Sequence, residues 1–139
     1  MFMKIMAAID GSATSMEALM EAKHIAASRQ AALCIVYAAA DSEEADQQVG
    51  RMLLERAKSV VGNGLHVEVR LLQAEAEYGL NGTAEAIAAA ANEWDADLVV
   101  VGTANRRGLE RFVIGSVAEQ LIPKVEASVL VIRPRRSTG

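Results

Sequence analysis

Two short segments carry residue types suited to holding a small ligand, the first through a carboxylate acceptor and the second through groups that favour an anion. One is Asp10-Gly11-Ser12; the other runs from Gly102-Thr103-Ala104-Asn105-Arg106-Arg107-Gly108 through Leu109 to Gly115-Ser116-Val117. The far end of the second segment coincides with the predicted start of a helix, where backbone N–H groups lack partners and the helix dipole is positive. Gly115 removes the side chain that would keep an anion away, and Ser116 adds a hydroxyl donor, a combination that makes a phosphate seat. Arg106, Arg107 and Arg111 set cations around this loop in an otherwise acidic chain and would help hold a polyphosphate. The same arginines also suit an ordinary solvated loop.

Asp10 can accept hydrogen bonds from a ribose or from nearby backbone donors. A purely local role is an Asx-type turn into the first helix, with Ser12 or Thr14 as N-cap and Glu17 completing a Thr14-based capping box. The two roles are compatible. The histidines offer less: His24 is expected on the polar side of the first helix and His66 before the third strand, both at the surface and away from these loops. Without a positioned general base, fast phosphoryl transfer is not expected, and no residue is assigned a catalytic role or a metal-ligating one. Slow hydrolysis would come from polarisation of the phosphates alone.

The elements that position these loops alternate. Met3 to Ile9, Ala31 to Ala38, Leu98 to Val101 and Val129 to Ile132 are short apolar runs that read as buried strands. Val67 to Leu72 alternates, with Glu68 and Arg70 on one face, and reads as a strand nearer an edge. Between them lie four stretches of helical spacing. Their apolar stripes are Leu19, Ala22, Ile25 and Ala26; Val49, Met52, Leu53, Ala57 and Val60; Ala84, Ile87, Ala88, Ala91 and Trp94; and Val117, Leu121 and Ile122, stopped by Pro123. Strict alternation with long connections requires parallel strands joined by right-handed crossovers. The expected fold is a single doubly wound α/β domain, an open sheet of five parallel strands with helices on both faces. Ligands of such sheets bind outside the carboxyl ends of the strands, where the winding reverses. Both loops follow strands at that end.

Composition narrows the class further. The 139 residues suit one domain over 1–134, with Arg135 to Gly139 as an unpacked tail. Hydrophobic residues make up 52% and aromatic ones only 4%, so the core must be aliphatic. A net charge of −4 gives no positive field for nucleic acid. The single Cys34 lies in an apolar run, reads as core packing and argues for a reducing compartment. Met1 to Asp10 does not read as a signal peptide, and no apolar stretch approaches the roughly 20 residues a bilayer requires, so a cytoplasmic protein is expected.

Known loop chemistries divide the remaining possibilities. A P-loop needs a Lys before the helix-start Ser, and Ile114-Gly115-Ser116 has none. A receiver domain needs an aspartate after strand three and a lysine after strand five, where Leu72-Gln73-Ala74 and Arg133-Pro134 supply neither. A flavodoxin-like phosphate loop needs a glycine that Ser12-Ala13-Thr14-Ser15 lacks.

Asp10-Gly11-Ser12, the run Ala96 to Thr103, the run Gly108 to Val117 and Val129 to Arg133 together resemble the universal stress protein family, and the similarity covers nearly the full length. The resemblance implies a Rossmann-like fold of the adenine nucleotide alpha hydrolase type and a role in stress response or signalling. The ATP-binding branch of that family is marked by G-x2-G-x9-G-[S/T], which aligns with Gly102, Asn105, Gly115 and Ser116. Asn105 replaces the second glycine, and Asn is the residue after glycine that best tolerates a left-handed backbone. The resemblance further implies ATP, or a related adenine nucleotide, with the adenine near Ala8, Ile9, Asp10 and Ala38 and with Val101 and Gly102 flanking the ribose. Triphosphate contacts would fall on Asn105, Gly115, Ser116 and Val117, with Mg2+ or Mn2+ carried on the phosphates. Family members also pair their last strands, which implies a homodimer through Val129, Leu130, Val131 and Ile132. The competing reading is a dimeric structural or interaction protein of the same fold that binds no nucleotide, Asn105 being the mark of that loss. Tyr78, in the connection from Gln73 to Gly82, is expected at the surface.

Overall fold

The structure is a computed structural model that describes residues 3–40, 43–75, 78–103 and 116–134. The chain alternates β1 (Lys4–Ala8), α1 (Ala13–Arg29), β2 (Ala32–Ala40), α2 (Glu44–Val61), β3 (Val67–Ala74), α3 (Gly79–Trp94), β4 (Leu98–Gly102), α4 (Ser116–Leu121) and β5 (Ser128–Ile132). All five strands are parallel, in the order β3-β2-β1-β4-β5. The expected doubly wound sheet is therefore present, and β3 is an edge strand as its alternation suggested. Winding runs outward from β1 through β2 to β3, then returns to the other side of β1 for β4 and β5. The reversal falls between β1 and β4.

Because side chains alternate along a strand, each strand feeds two cores. Ile5, Ala7, Leu33, Ile35 and Tyr37 pack with Ala18, Leu19, Ala22 and Leu54 under α1 and α2. Met6, Cys34, Val36, Val99 and Val101 pack with Ile87, Ala91, Trp94 and Leu121 under α3 and α4. Small residues on both sides let the helices sit close to the sheet. The third apolar stripe is buried as expected, with Ala84, Ile87, Ala88, Ala91 and Trp94 all in the second core.

Two stripes are placed differently from expectation. In α2 the buried face is Gly50, Leu54, Ala57 and Val61, whereas Val49, Met52 and Val60 are 45%, 61% and 45% exposed. Gly50 is the reason: a Cβ there would lie 2.6 Å from Tyr37 Cδ1 and 2.7 Å from Leu71 Cδ1. The helix turns its bare backbone to the tyrosine ring, which rotates the apolar flank beside it outward. In α4 the buried pair is Ala118 and Leu121, and Ile122, past the end of the helix, is exposed.

Entry into β1 is fixed by Asp97, whose Oδ2 accepts from the N–H groups of Met3 (2.8 Å) and Lys4 (2.9 Å). Lys4 Nζ in turn donates to Trp94 O at 3.1 Å and lies 5.4 Å from the Trp94 ring centre. This tie lies at the amino end of the sheet, opposite the candidate site.

Burial pushes the Cys34 thiol up to about 12, with help from the negative charge of Glu68. Burial also raises Tyr37 to about 12, assisted by its hydrogen bond to Asp46. In the unfolded chain both groups ionise nearer their ordinary values, so the unfolded state loses protons first as pH rises. Stability from these groups is complete below about pH 9 and is lost as pH climbs through the window to about 12. Urea denaturation across pH 8 to about 10.5 is expected to show this decline, with a shallower slope in Cys34→Ala and in Tyr37→Phe.

Candidate functional site

The carboxyl ends of β1, β2 and β4 lie side by side at the reversal of winding, and the first loop is built there by local hydrogen bonds. Asp10 Oδ1 accepts from Ser12 N–H at 2.9 Å, closing an Asx turn. Ser12 Oγ accepts from Ser15 N–H at 3.1 Å and caps α1. Buried Ser15 then donates its hydroxyl to Ser12 O (3.0 Å) and accepts from Asp10 N–H (3.2 Å). Of the two caps open from the sequence, Ser12 is therefore the one used, and the Thr14-based box with Glu17 does not form. Gly11 has φ +90°, which favours glycine in the turn. The Asp10 side chain stays exposed, with one carboxylate oxygen engaged by Ser12.

Beside this loop, β2 outruns β1. Hydrogen-bond direction alternates along β2: Leu33 N–H goes to His66 O on the β3 side, while Ala32 N–H goes to Met3 O and Val36 O accepts from Ile9 N–H, each at 2.9 Å. By the same alternation Ala38 and Ala40 turn their peptide groups toward the β1 side. The register of β1 with β2 ends at Ala8 and Val36, and the Ile9 bond is the last rung. Ala38 therefore presents an N–H donor and a C=O acceptor past the end of β1, with no strand partner there among the described residues. Its half-buried side chain, like that of Ala8, packs at the edge of the second core and is small enough to leave room above the sheet.

On the other side of β1, β4 ends at Gly102, and Thr103 N–H donates to Ile132 O at 2.9 Å. A Cβ on Gly102 would lie 2.8 Å from Thr14 Cγ2 and 3.0 Å from the Thr14 carbonyl carbon and oxygen. The glycine thus lets the first turn of α1 close onto the end of β4. Its role in packing is as direct as any role toward a ligand.

The structure brings together Ala8, Ile9 and Asp10 at the end of β1, Ala38 near the end of β2, and Val101 and Gly102 on β4. Ser116 and Val117 begin α4, which packs on the α3 side. Ile9 and Val101 bury their side chains in opposite cores, at 4% and 3% exposure, so any ligand contact they make is through the backbone. Asn105, Arg106, Arg107, Arg111 and Gly115 lie outside the described residues, as does the tail 135–139. His24 and His66 are exposed, and His66 precedes β3 at the opposite end of the sheet. Tyr78 is exposed as expected. Sequence reasoning missed Asp46 and Tyr37, which flank the end of β2; their only sequence signal is a carboxylate in the first turn of a helix soon after a strand tyrosine. Among the described residues no helix is long and apolar enough to cross a membrane.

The family model described as "Universal stress protein family" matches residues 1–133. Universal stress protein MJ0531 of Methanocaldococcus jannaschii is 28% identical, over 96% of this chain and 83% of that protein. Among solved structures, a universal stress protein in complex with cAMP superposes with TM-score 0.71 and 26% identity, covering 94% of this chain and 97% of the other. The universal stress protein from Archaeoglobus fulgidus in complex with dAMP gives TM-score 0.73 and 26% identity, covering 94% and 98%.

Proposed function

The chain belongs to the universal stress protein family, and from that premise we propose that it is an adenine-nucleotide-binding module of stress response or signalling. The observation that carries this reading is the donor–acceptor pair of the Ala38 peptide, turned past the last rung of β1 and beside the exposed Asp10. Adenine offers a complementary acceptor at N1 and donor at N6, so a base edge can complete the hydrogen bonds that β1 leaves off. Similarity to proteins solved with cAMP and with dAMP supports the same ligand class.

In this reading the second oxygen of Asp10 takes a ribose hydroxyl, and the backbones of Ile9, Val101 and Gly102 line the sugar. Phosphates extend to Asn105, Gly115, Ser116 and Val117, with Arg106, Arg107 and Arg111 around them. A divalent ion, Mg2+ or Mn2+, would neutralise phosphate charge. One exposed carboxylate beside the crevice suits an ion that keeps its waters and phosphate ligands. No described histidine sits at the crevice to activate water, so turnover is slow at most.

We place the protein in the cytoplasm, with a domain over 1–134 and a tail over 135–139. Its dimer forms through β5, where Val129, Leu130, Val131 and Ile132 lie on an open sheet edge.

Isothermal calorimetry with AMP, cAMP and Mg-ATP tests the reading; heat saturating with at least one of them is expected, and silence with all three contradicts it. Asn105→Gly separates backbone from side-chain roles. Retained or tighter binding of ATP is expected, because the position serves turn geometry. A loss of affinity would instead assign the Asn105 amide to the ligand.

A further inference from the structure

The end of β2 carries a latch that neither the strand ladder nor helix packing requires. Ala40 N–H, turned to the same side as the Ala38 peptide, donates to Asp46 Oδ2 at 2.8 Å. Asp46 Oδ1 accepts from the Tyr37 hydroxyl at 2.7 Å. Both carboxylate oxygens of Asp46, in the first turn of α2, are therefore spent on β2. Hydrogen bonds to a charged acceptor are among the stronger ones available to a half-buried group.

The phenol is itself held in place. Its ring is buried in the first core and covered by the bare backbone of Gly50. Burial and the neighbouring carboxylates keep it protonated far above neutral pH, so the donor to Asp46 persists under physiological conditions. Glu43 N–H adds a weaker tie to Ala40 O at 3.2 Å. Past Val36 the only strand beside β2 among the described residues is β3, paired as far as Ala40 and Ala74. On the β1 side the latch takes the place of the missing strand.

A peptide group that reads a base edge discriminates only when its position is fixed, because a loose N–H and C=O can shift to meet the reversed donor–acceptor pattern of guanine. We propose that Asp46 is a positioning residue for base selectivity, acting through Ala40 and Tyr37 to hold the Ala38 peptide still. The proposal rests on the nucleotide reading above.

The test uses the full chain with AMP and GMP as probes, calorimetry for affinity and hydrogen exchange at the Ala40 amide. Wild type is expected to bind AMP at least about tenfold more tightly than GMP. Asp46→Ala is expected to bring the two affinities within about threefold, mainly by weakening AMP, and to speed Ala40 exchange. Asp46→Asn, which can still accept from Ala40 and donate to the phenol oxygen, restores most of the preference. Tyr37→Phe, which leaves the Ala40 bond in place, falls between and guards against an Asp46→Ala chain that does not fold. An unchanged AMP/GMP ratio in Asp46→Ala with accelerated exchange shows a structural tie only and overturns the proposal, as does an Asn variant no better than Ala. Wild type that binds neither nucleotide overturns the nucleotide reading, and the inference with it.

Discussion

Gly115→Val is expected to weaken binding of adenine nucleotides by at least about 100-fold while moving the thermal midpoint by no more than a few degrees. The glycine lies one residue before α4, in the Gly102–Ser116 pattern, where an anion needs direct access to backbone N–H groups. In the proposed phosphate seat, a branched side chain at this position would take the room of the phosphate. Losing two charge-assisted hydrogen bonds accounts for an effect of this size, about 2.7 kcal/mol. Every described core contact remains, so stability is spared. Calorimetry and thermal denaturation on one preparation separate the two effects, and unchanged affinity would remove Gly115 from the site.

Gly102→Val should do the reverse in its first effect: it destabilises the fold whether or not ligand is present. The new Cβ would meet Thr14 Cγ2 at 2.8 Å and the Thr14 backbone at 3.0 Å. The methyl can rotate away, but the carbonyl belongs to the first turn of α1 and moves only with the helix. An overpacked contact of this kind costs about 2–3 kcal/mol, which lowers the midpoint by on the order of 10 °C. Ligand affinity falls as well, because α1 begins with the Asp10–Ser12–Ser15 network that shapes the first loop. A midpoint equal to wild type would show that α1 does not close on β4 as described.

The alternation of apolar runs is enough to give the order of elements along the chain, the parallel sheet and the edge position of β3, because long crossovers leave few topologies. The carboxyl-end location of the candidate site follows from the same topology. Helix α2 shows where periodicity misleads. Counting apolar residues favoured Val49, Met52 and Val60, but the deciding residue is Gly50, which has no side chain to count and is buried because Tyr37 needs its space. The cap at Ser12 was one of two legible candidates, and only the geometry of Ser15 selects it.

The Ala38 peptide was named from resemblance, yet its chemistry was not legible in the sequence. It depends on β2 extending past the last rung of β1, a difference of strand lengths that apolar runs do not resolve. Asp46 was missed for a related reason: its partners lie nine residues back and six residues back, across a turn, so no local motif marks it.

The most direct measurement is an amide chemical-shift titration of the isotopically labelled chain with AMP. Binding at the reversal of winding predicts the largest saturable shifts at Ile9, Asp10, Ala38, Gly102 and Ser116, with His66 and Asp97 at the far end of the sheet unmoved. No saturable shifts, or shifts confined to that far end, would contradict a nucleotide site in this crevice and leave the dimeric, nucleotide-free reading in its place.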